Sequence, residues 1–114
     1  MTENLPNETI WEIHETHPDW VQPLRENLSK VVDPEIGMNL IQLGLIREVR
    51  VEEGRLKIHM ILTTPFCPYA PALLEAARQK AQEAVDIPVE MEMGFEPWDY
   101  TMMEDPDALN WGMF

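Results

Sequence analysis

The strongest nucleophile in the sequence is Cys67, the chain's one cysteine. It stands in the run Thr63-Thr64-Pro65-Phe66-Cys67-Pro68, between a segment that reads as a strand and one that reads as a helix. At the mouth of a helix, unpaired backbone N–H groups and the helix dipole stabilise a thiolate. A thiolate attacks electrophiles and binds soft metals. Pro65 and Pro68 restrict the backbone on both sides and would hold the sulfur in one place. A buried, inert cysteine fits the same spacing, and the residues alone leave both readings open. A second constellation is Asp33-Pro34-Glu35, two carboxylates flanking a stiff residue. Such a pair can serve as acid and base in hydrolysis, or accept hydrogen bonds from a nearby loop, the commoner use. No GxSxG, HExxH or phosphate-binding loop accompanies it. His14 and His17 share one turn at an i, i+3 spacing, but no third ligand lies nearby, so no metal site is expected there.

The elements that must position these residues are legible in outline. Asp19 reads as an N-cap and Pro23 as a first-turn proline, with Leu24, Leu28 and Val31 forming a buried stripe. Asp33-Pro34 stops this helix and Gly37 bends the chain. A hairpin follows. Glu48 to Glu52 and Leu56 to Leu62 alternate, with Glu53-Gly54 at the turn. Ile46 is out of phase with Val49 and Val51, which predicts a bulge or a late strand start. His59 falls on the polar face and reads as solvated. After the cysteine loop, Pro68 and Pro71 suit the first turn of a second long helix. Its stripe is Ala70, Leu73, Ala77, Ala81 and Ala84, widened by Leu74 and Val85. Val89 to Met93 alternates again as a third strand. The last twenty residues read as a short helix with a docked tail. The order is α-β-β-α-β-α, an α+β fold in one small domain. It predicts a mixed sheet of three to four strands with helices packed on one face. Residues 1–18 form an acidic N-terminal extension, in which Ile10, Trp11 and Ile13 could dock on the body, and residues 19–114 form the domain.

The 114-residue length suits a single compact core. Of 21 acidic and 8 basic side chains, all the basic ones lie between Arg25 and Lys80. The net charge of −13 therefore resides in the two flanks. Nucleic-acid binding needs a basic footprint, and an anionic membrane surface would repel such a chain, so neither is an expected partner. The acidic flanks read first as solubilising surface and second as a face for a basic partner. One cysteine, no apolar run of membrane length and no signal-peptide pattern fit a cytoplasmic protein. The tryptophans all lie in the flanks, which suggests that the flanks pack.

Four ordered motifs resemble the iron–sulfur cluster assembly family of SufT-like and PaaD-like proteins, long catalogued as a domain of unknown function. They are Val32-Asp33-Pro34-Glu35-Ile36-Gly37, Leu43-Gly44-Leu45-Ile46, Leu62-Thr63-Thr64-Pro65-Phe66-Cys67-Pro68 and Pro97-Trp98. The ending Gly112-Met113-Phe114 is similar to the family's L-G-hydrophobic finish. The resemblance covers about residues 20 to 114. It implies an α+β fold, a role in maturing Fe–S proteins, and Cys67 as the ligand of a cluster or of iron. Asp33 and Glu35 match the family's acids, and Thr64 matches the residue opening the cysteine loop. Phe66 replaces a usually small residue, and Gln42 an acid that often precedes the LGL segment. The cysteine-rich C-terminal motif of PaaD-like members and the nucleotide-binding loop of ATPase-linked forms are both missing from the sequence.

These readings converge on a non-enzymatic accessory factor in Fe–S cluster assembly or delivery. Its partners would be the assembly machinery and client apo-proteins. A cluster generally takes four ligands, so one thiol per chain calls for a homodimer, outside thiols or a partner protein. The monomer is expected to hold no stable cluster. Two rivals are a single-cysteine thiol redox enzyme, cycling through a sulfenic acid, and an acidic interaction module with a structural cysteine. Asp33 and Glu35 are expected to brace the cysteine loop as hydrogen-bond acceptors rather than to catalyse.

Overall fold

A computed structural model describes residues 9–34, 36–63 and 68–103. Its elements are α1 (Ile13–Thr16), α2 (Pro18–Leu28), α3 (Leu40–Leu43), β1 (Ile46–Glu52), β2 (Arg55–Met60), α4 (Ala70–Gln82), β3 (Val89–Met93) and a 3-10 turn at Tyr100–Met102. The sheet has three strands in the order β1-β2-β3. β1 and β2 are antiparallel, whereas β2 and β3 are parallel, with α4 as the crossover. This is the mixed α+β architecture that the alternation predicts.

Glu53 and Gly54 both have positive φ, 54° and 76°, as a two-residue turn of matching twist requires. The phase break at Ile46 is a bulge. Ile46 pairs with Met60 and Glu48 with His59, which leaves Arg47 as the extra residue. Ile46 and Val49 therefore both reach the core. The core lies between one sheet face and the helices. Val49, Leu56, Ile58 and Met60 meet Leu24 and Leu28 of α2 and Leu73, Ala77 and Ala81 of α4. Alanines at two of α4's three buried positions let the helix lie close to the sheet.

Three details differ from the sequence reading. α2 begins at Pro18, so Asp19 lies in the first turn rather than at the cap, and Pro23 sits inside the helix. Proline pre-sets φ for a first helical position, and Pro18 fills that place. The helix also ends at Leu28, before Asp33-Pro34, through a Ser29–Lys30 turn that still buries Val31. The short helix α3 is an addition. Asn39 Oδ1 accepts from the Gln42 amide at 2.8 Å, and Gln42 Oε1 accepts from the Asn39 amide at 3.0 Å. Gly44 then closes α3 in the left-handed region at φ 71°. Gln42 thus completes a capping box.

The N-terminal segment packs through Trp11 and Ile13, both buried, while Ile10 is exposed. Trp11 Nε1 donates to the Ile46 carbonyl at 3.1 Å. Trp98 Nε1 donates to the Leu43 carbonyl at 2.7 Å, and Met103 is buried. The expected packing of Leu109, Trp111, Met113 and Phe114 lies outside the described residues.

The sheet's outer face carries charge instead of helices. Arg50 forks onto Glu92 at 2.8 and 3.3 Å, and Lys57 bridges Glu52 and Glu90 at 3.2 and 3.3 Å. The Arg50 guanidinium holds the Glu92 carboxyl below its usual value, and Lys57 does the same to Glu52. A depressed carboxylate contributes stability above its unfolded pKa, and that contribution fades as pH falls through the folded value. Stability should therefore drop as pH falls below the ordinary carboxylate range. Urea midpoints for Arg50→Met should show a shallower drop than the native chain. Equal slopes would remove the ion pairs from the account.

Candidate functional site

Asp33 follows α2 in a turn closed by its own backbone. The Asp33 amide donates to the Met38 carbonyl at 2.9 Å, and the Gly37 amide donates to the Asp33 carbonyl at 2.8 Å. Gly37, at φ 82°, takes the conformation that the turn needs and that other residues resist. A Val32–Asn39 bridge joins the two arms. Asp33 is 1% exposed, and it is the one buried charged residue among those described. The chain reaches it from the sheet at residues 61–63. The Ile61 amide donates to the Leu45 carbonyl at 2.9 Å, and Leu62 is buried. Thr63 Oγ1 then donates to Asp33 Oδ2 at 3.3 Å. The carboxylate thus joins the acidic turn to the first residue of the cysteine loop.

Asp33→Ala removes this acceptor from a buried place. The expected cost is about 1–3 kcal/mol, with Asp33→Asn costing less because it keeps one carbonyl acceptor. Urea denaturation of the two variants checks this, and an unchanged midpoint for Asp33→Ala would refute the bracing role.

Glu35, Thr64 and Cys67 lie outside the described residues, as does Phe66, and so does any contact they make. The chain is described again from Pro68. Tyr69 is the N-cap of α4 without a side-chain cap bond, and Pro71 sits in the first turn. Cys67 thus precedes the first residue of α4 by three positions.

Beside Thr63 lies a cleft of about 210 Å³, walled by Leu62, Met93 and the segment from Gly94 to Trp98. The late Pro97-Trp98 motif therefore stands next to the entrance of the cysteine loop. His59 fixes this wall. Its Nε2 lies 2.7 Å from Glu96 Oε2 and its Nδ1 3.5 Å from Glu92 Oε1. The reading of His59 as merely solvated is corrected: it ties β2 to β3 and to the segment beyond it. The Glu96 carboxyl is held below its usual value, first by its own backbone N–H and then by His59. Gly94 sits where a Cβ would overlap Glu96 and His59 side-chain atoms. The alternation of β2 shows which face His59 takes. The parallel register that sets Glu92 opposite it has no local signal.

The other two histidines pack on tryptophans. His14 meets Trp11 edge-on at 5.6 Å, and His17 stacks on Trp20 at 4.5 Å. Among the described residues no group of three or more His, Cys, Asp or Glu could hold a metal ion. No helix among them is long and apolar enough to cross a membrane.

The fold is shared with solved structures. A domain of unknown function from Bacillus anthracis superposes with a TM-score of 0.73 at 24% identity, covering 87% of this chain and 97% of that one. A conserved hypothetical protein from Thermotoga maritima gives a TM-score of 0.57 at 24% identity, over 92% and 97% of the two chains. Sequence relatives are more specific. An Fe-S protein maturation auxiliary factor of Porphyromonas gingivalis is 36% identical over 104 residues, 89% of this chain and 95% of its own length. The Fe-S protein maturation auxiliary factor SufT of Staphylococcus aureus is 33% identical over 76 residues, 64% and 86% of the two chains. Residues 22–92 match the family model described as "Iron-sulfur cluster assembly protein", a span that holds the acidic turn, the LGL segment and the cysteine loop. The chain therefore belongs to the iron–sulfur cluster assembly protein family.

Proposed function

We propose that this protein is a non-enzymatic accessory factor, acting in the cytoplasm, that helps pass Fe–S clusters or iron to client apo-proteins. Cys67 is the ligand that touches the cargo. The observation that carries the reading is the Thr63–Asp33 hydrogen bond, which joins two of the family's motif turns at the entrance of the loop bearing the chain's one thiol. Asp33 acts as a positioning residue, and Glu35 and Thr64 are its fellow binding residues in the two sequence motifs.

A cluster is cargo here, and it asks for more thiolates than one chain has. The remaining ligands come from a second copy, small thiols or a protein of the assembly machinery. The rival thiol-enzyme reading needs a base beside the sulfur. His59 is engaged by Glu92 and Glu96, and His14 and His17 pack against tryptophans. With both ring nitrogens facing carboxylates, His59 is not free to serve as that base, which favours the accessory role.

The test is complementation. In cells lacking the native protein, Fe–S enzyme activities should recover with the native chain and stay low with Cys67→Ser at equal protein level. Full recovery with Cys67→Ser would overturn the role of the thiol. Peroxide turnover by the purified chain would move the reading to the redox enzyme.

A further inference from the structure

The chain's basic side chains divide into two groups. Arg50, Arg55, Lys57 and Arg78 form ion pairs, Arg47 donates to the Gly44 carbonyl, and Arg25 lies over the Trp11 ring. Lys30 has no ion pair among the described residues, and Lys80 has only a long one, 3.6 Å to Glu83. These two lysines line the same groove, about 360 Å³, between the end of α2 and the face of α4. Between them the groove is apolar, with Val31, Val32, Tyr69 and Leu73 in its walls. Val32 and Tyr69 are 48% and 47% exposed, so large apolar surface faces water there. A patch of this kind on an otherwise acidic chain calls for an occupant with negative charge and large apolar side chains.

We propose that the occupant is the chain's own segment 104–114, folded back in the same molecule. Its composition is complementary. It carries Glu104, Asp105 and Asp107, then Leu109, Trp111, Met113 and Phe114, and no basic residue. The place where the described chain leaves off is also suitable. The Met102 carbonyl packs against Gly44, at the end of α3. Four residues of helix, roughly 6 Å, separate Gly44 from Leu40. The Leu40 amide in turn donates to the carbonyl of Val31, a groove residue, at 3.0 Å. Segment 104–114 thus starts close to the groove and can extend roughly 36 Å. A tether this short gives the segment a high effective concentration at the groove, ahead of any separate molecule. Pro34 and Tyr69, beside the two turns of the candidate site, also line the groove. The docked segment would lie next to the cysteine loop.

Zero-length carbodiimide cross-linking of the full chain tests this, since it joins an ammonium to a touching carboxylate as an amide with loss of water. An equal mixture of 14N- and 15N-labelled chains shows whether each link is internal. The expected result is Lys30 or Lys80 joined to Glu104, Asp105 or Asp107 within one molecule. The yield should fall several-fold in Trp111→Ala, and the Val32 and Leu73 methyl signals should shift in that variant. Links confined to local acids such as Glu83, links to Glu3 or Glu8, or links between differently labelled chains would each overturn the proposal. Unmoved methyl signals would do the same. The assay involves no cluster, so its failure leaves the assembly reading untouched.

Discussion

Trp11→Ala should destabilise the protein by about 3–5 kcal/mol, the cost of emptying a large buried aromatic site. Trp11 is 1% exposed although it precedes the family-matched segment by eleven residues. Its ring fills space beside the start of β1, and the Arg25 guanidinium lies 5.9 Å from its centre. Its Nε1 donates to the Ile46 carbonyl in a buried place, so truncation also strands that acceptor. Native domains have only about 5–15 kcal/mol in total. The variant should therefore melt far below the native chain, and Trp11→Phe, which keeps most of the apolar volume, should lie between them. Urea denaturation followed by far-ultraviolet circular dichroism reads all three. A loss below about 1 kcal/mol for Trp11→Ala would mean that the N-terminal segment is not part of the folding unit.

The second large effect concerns two glycines that look equivalent in sequence. Gly44 and Gly54 have nearly the same φ, 71° and 76°. An alanine at either place pays the left-handed backbone cost, roughly 1–2 kcal/mol. At Gly54 nothing lies within 4 Å of the added Cβ, so the cost stops there. At Gly44 the Cβ would overlap the Met102 carbonyl, a backbone group that cannot rotate away. The 3-10 turn would have to lift, which loosens the buried Met103 and the Trp98 bond to the Leu43 carbonyl. Gly44→Ala should therefore cost roughly 3–4 kcal/mol, at least 1 kcal/mol more than Gly54→Ala. Equal losses in the two variants would show that the close approach is absent in solution.

The parts legible in the sequence were those with a local cause. Hairpin alternation, the Glu53-Gly54 turn, the bulge before Val49 and the alanine stripe of α4 each follow from spacing within a few residues. The parts that were not legible depend on partners distant in the chain. Parallel pairing sets His59 beside Glu92, and nothing near either residue announces it. α3 is different, because Asn39, Gln42 and Gly44 are a readable start-and-stop signal that the Leu43-Gly44-Leu45 motif concealed. At the site, Asp33 and Thr63 meet across thirty positions because the end of the sheet and the turn after α2 converge. The need for a brace could be argued from two proline-stiffened turns, but the choice of donor and acceptor belongs to the tertiary fold.

The mixed sheet also sets an order in which its strands can pair. The β1–β2 pairing is local, and a hairpin of this kind closes in about 1–10 μs. The parallel partner of β2 arrives only after residues 61–88 have been made, a wait on the order of seconds at ribosomal speed. Until β3 docks, β2 has an unpaired edge bearing Leu56, Ile58 and Met60, the kind of template that recruits other chains. Arg55, Lys57 and His59 alternate with those apolar residues along the same edge. Polar side chains alternating with apolar ones on such an edge work against its pairing with another chain.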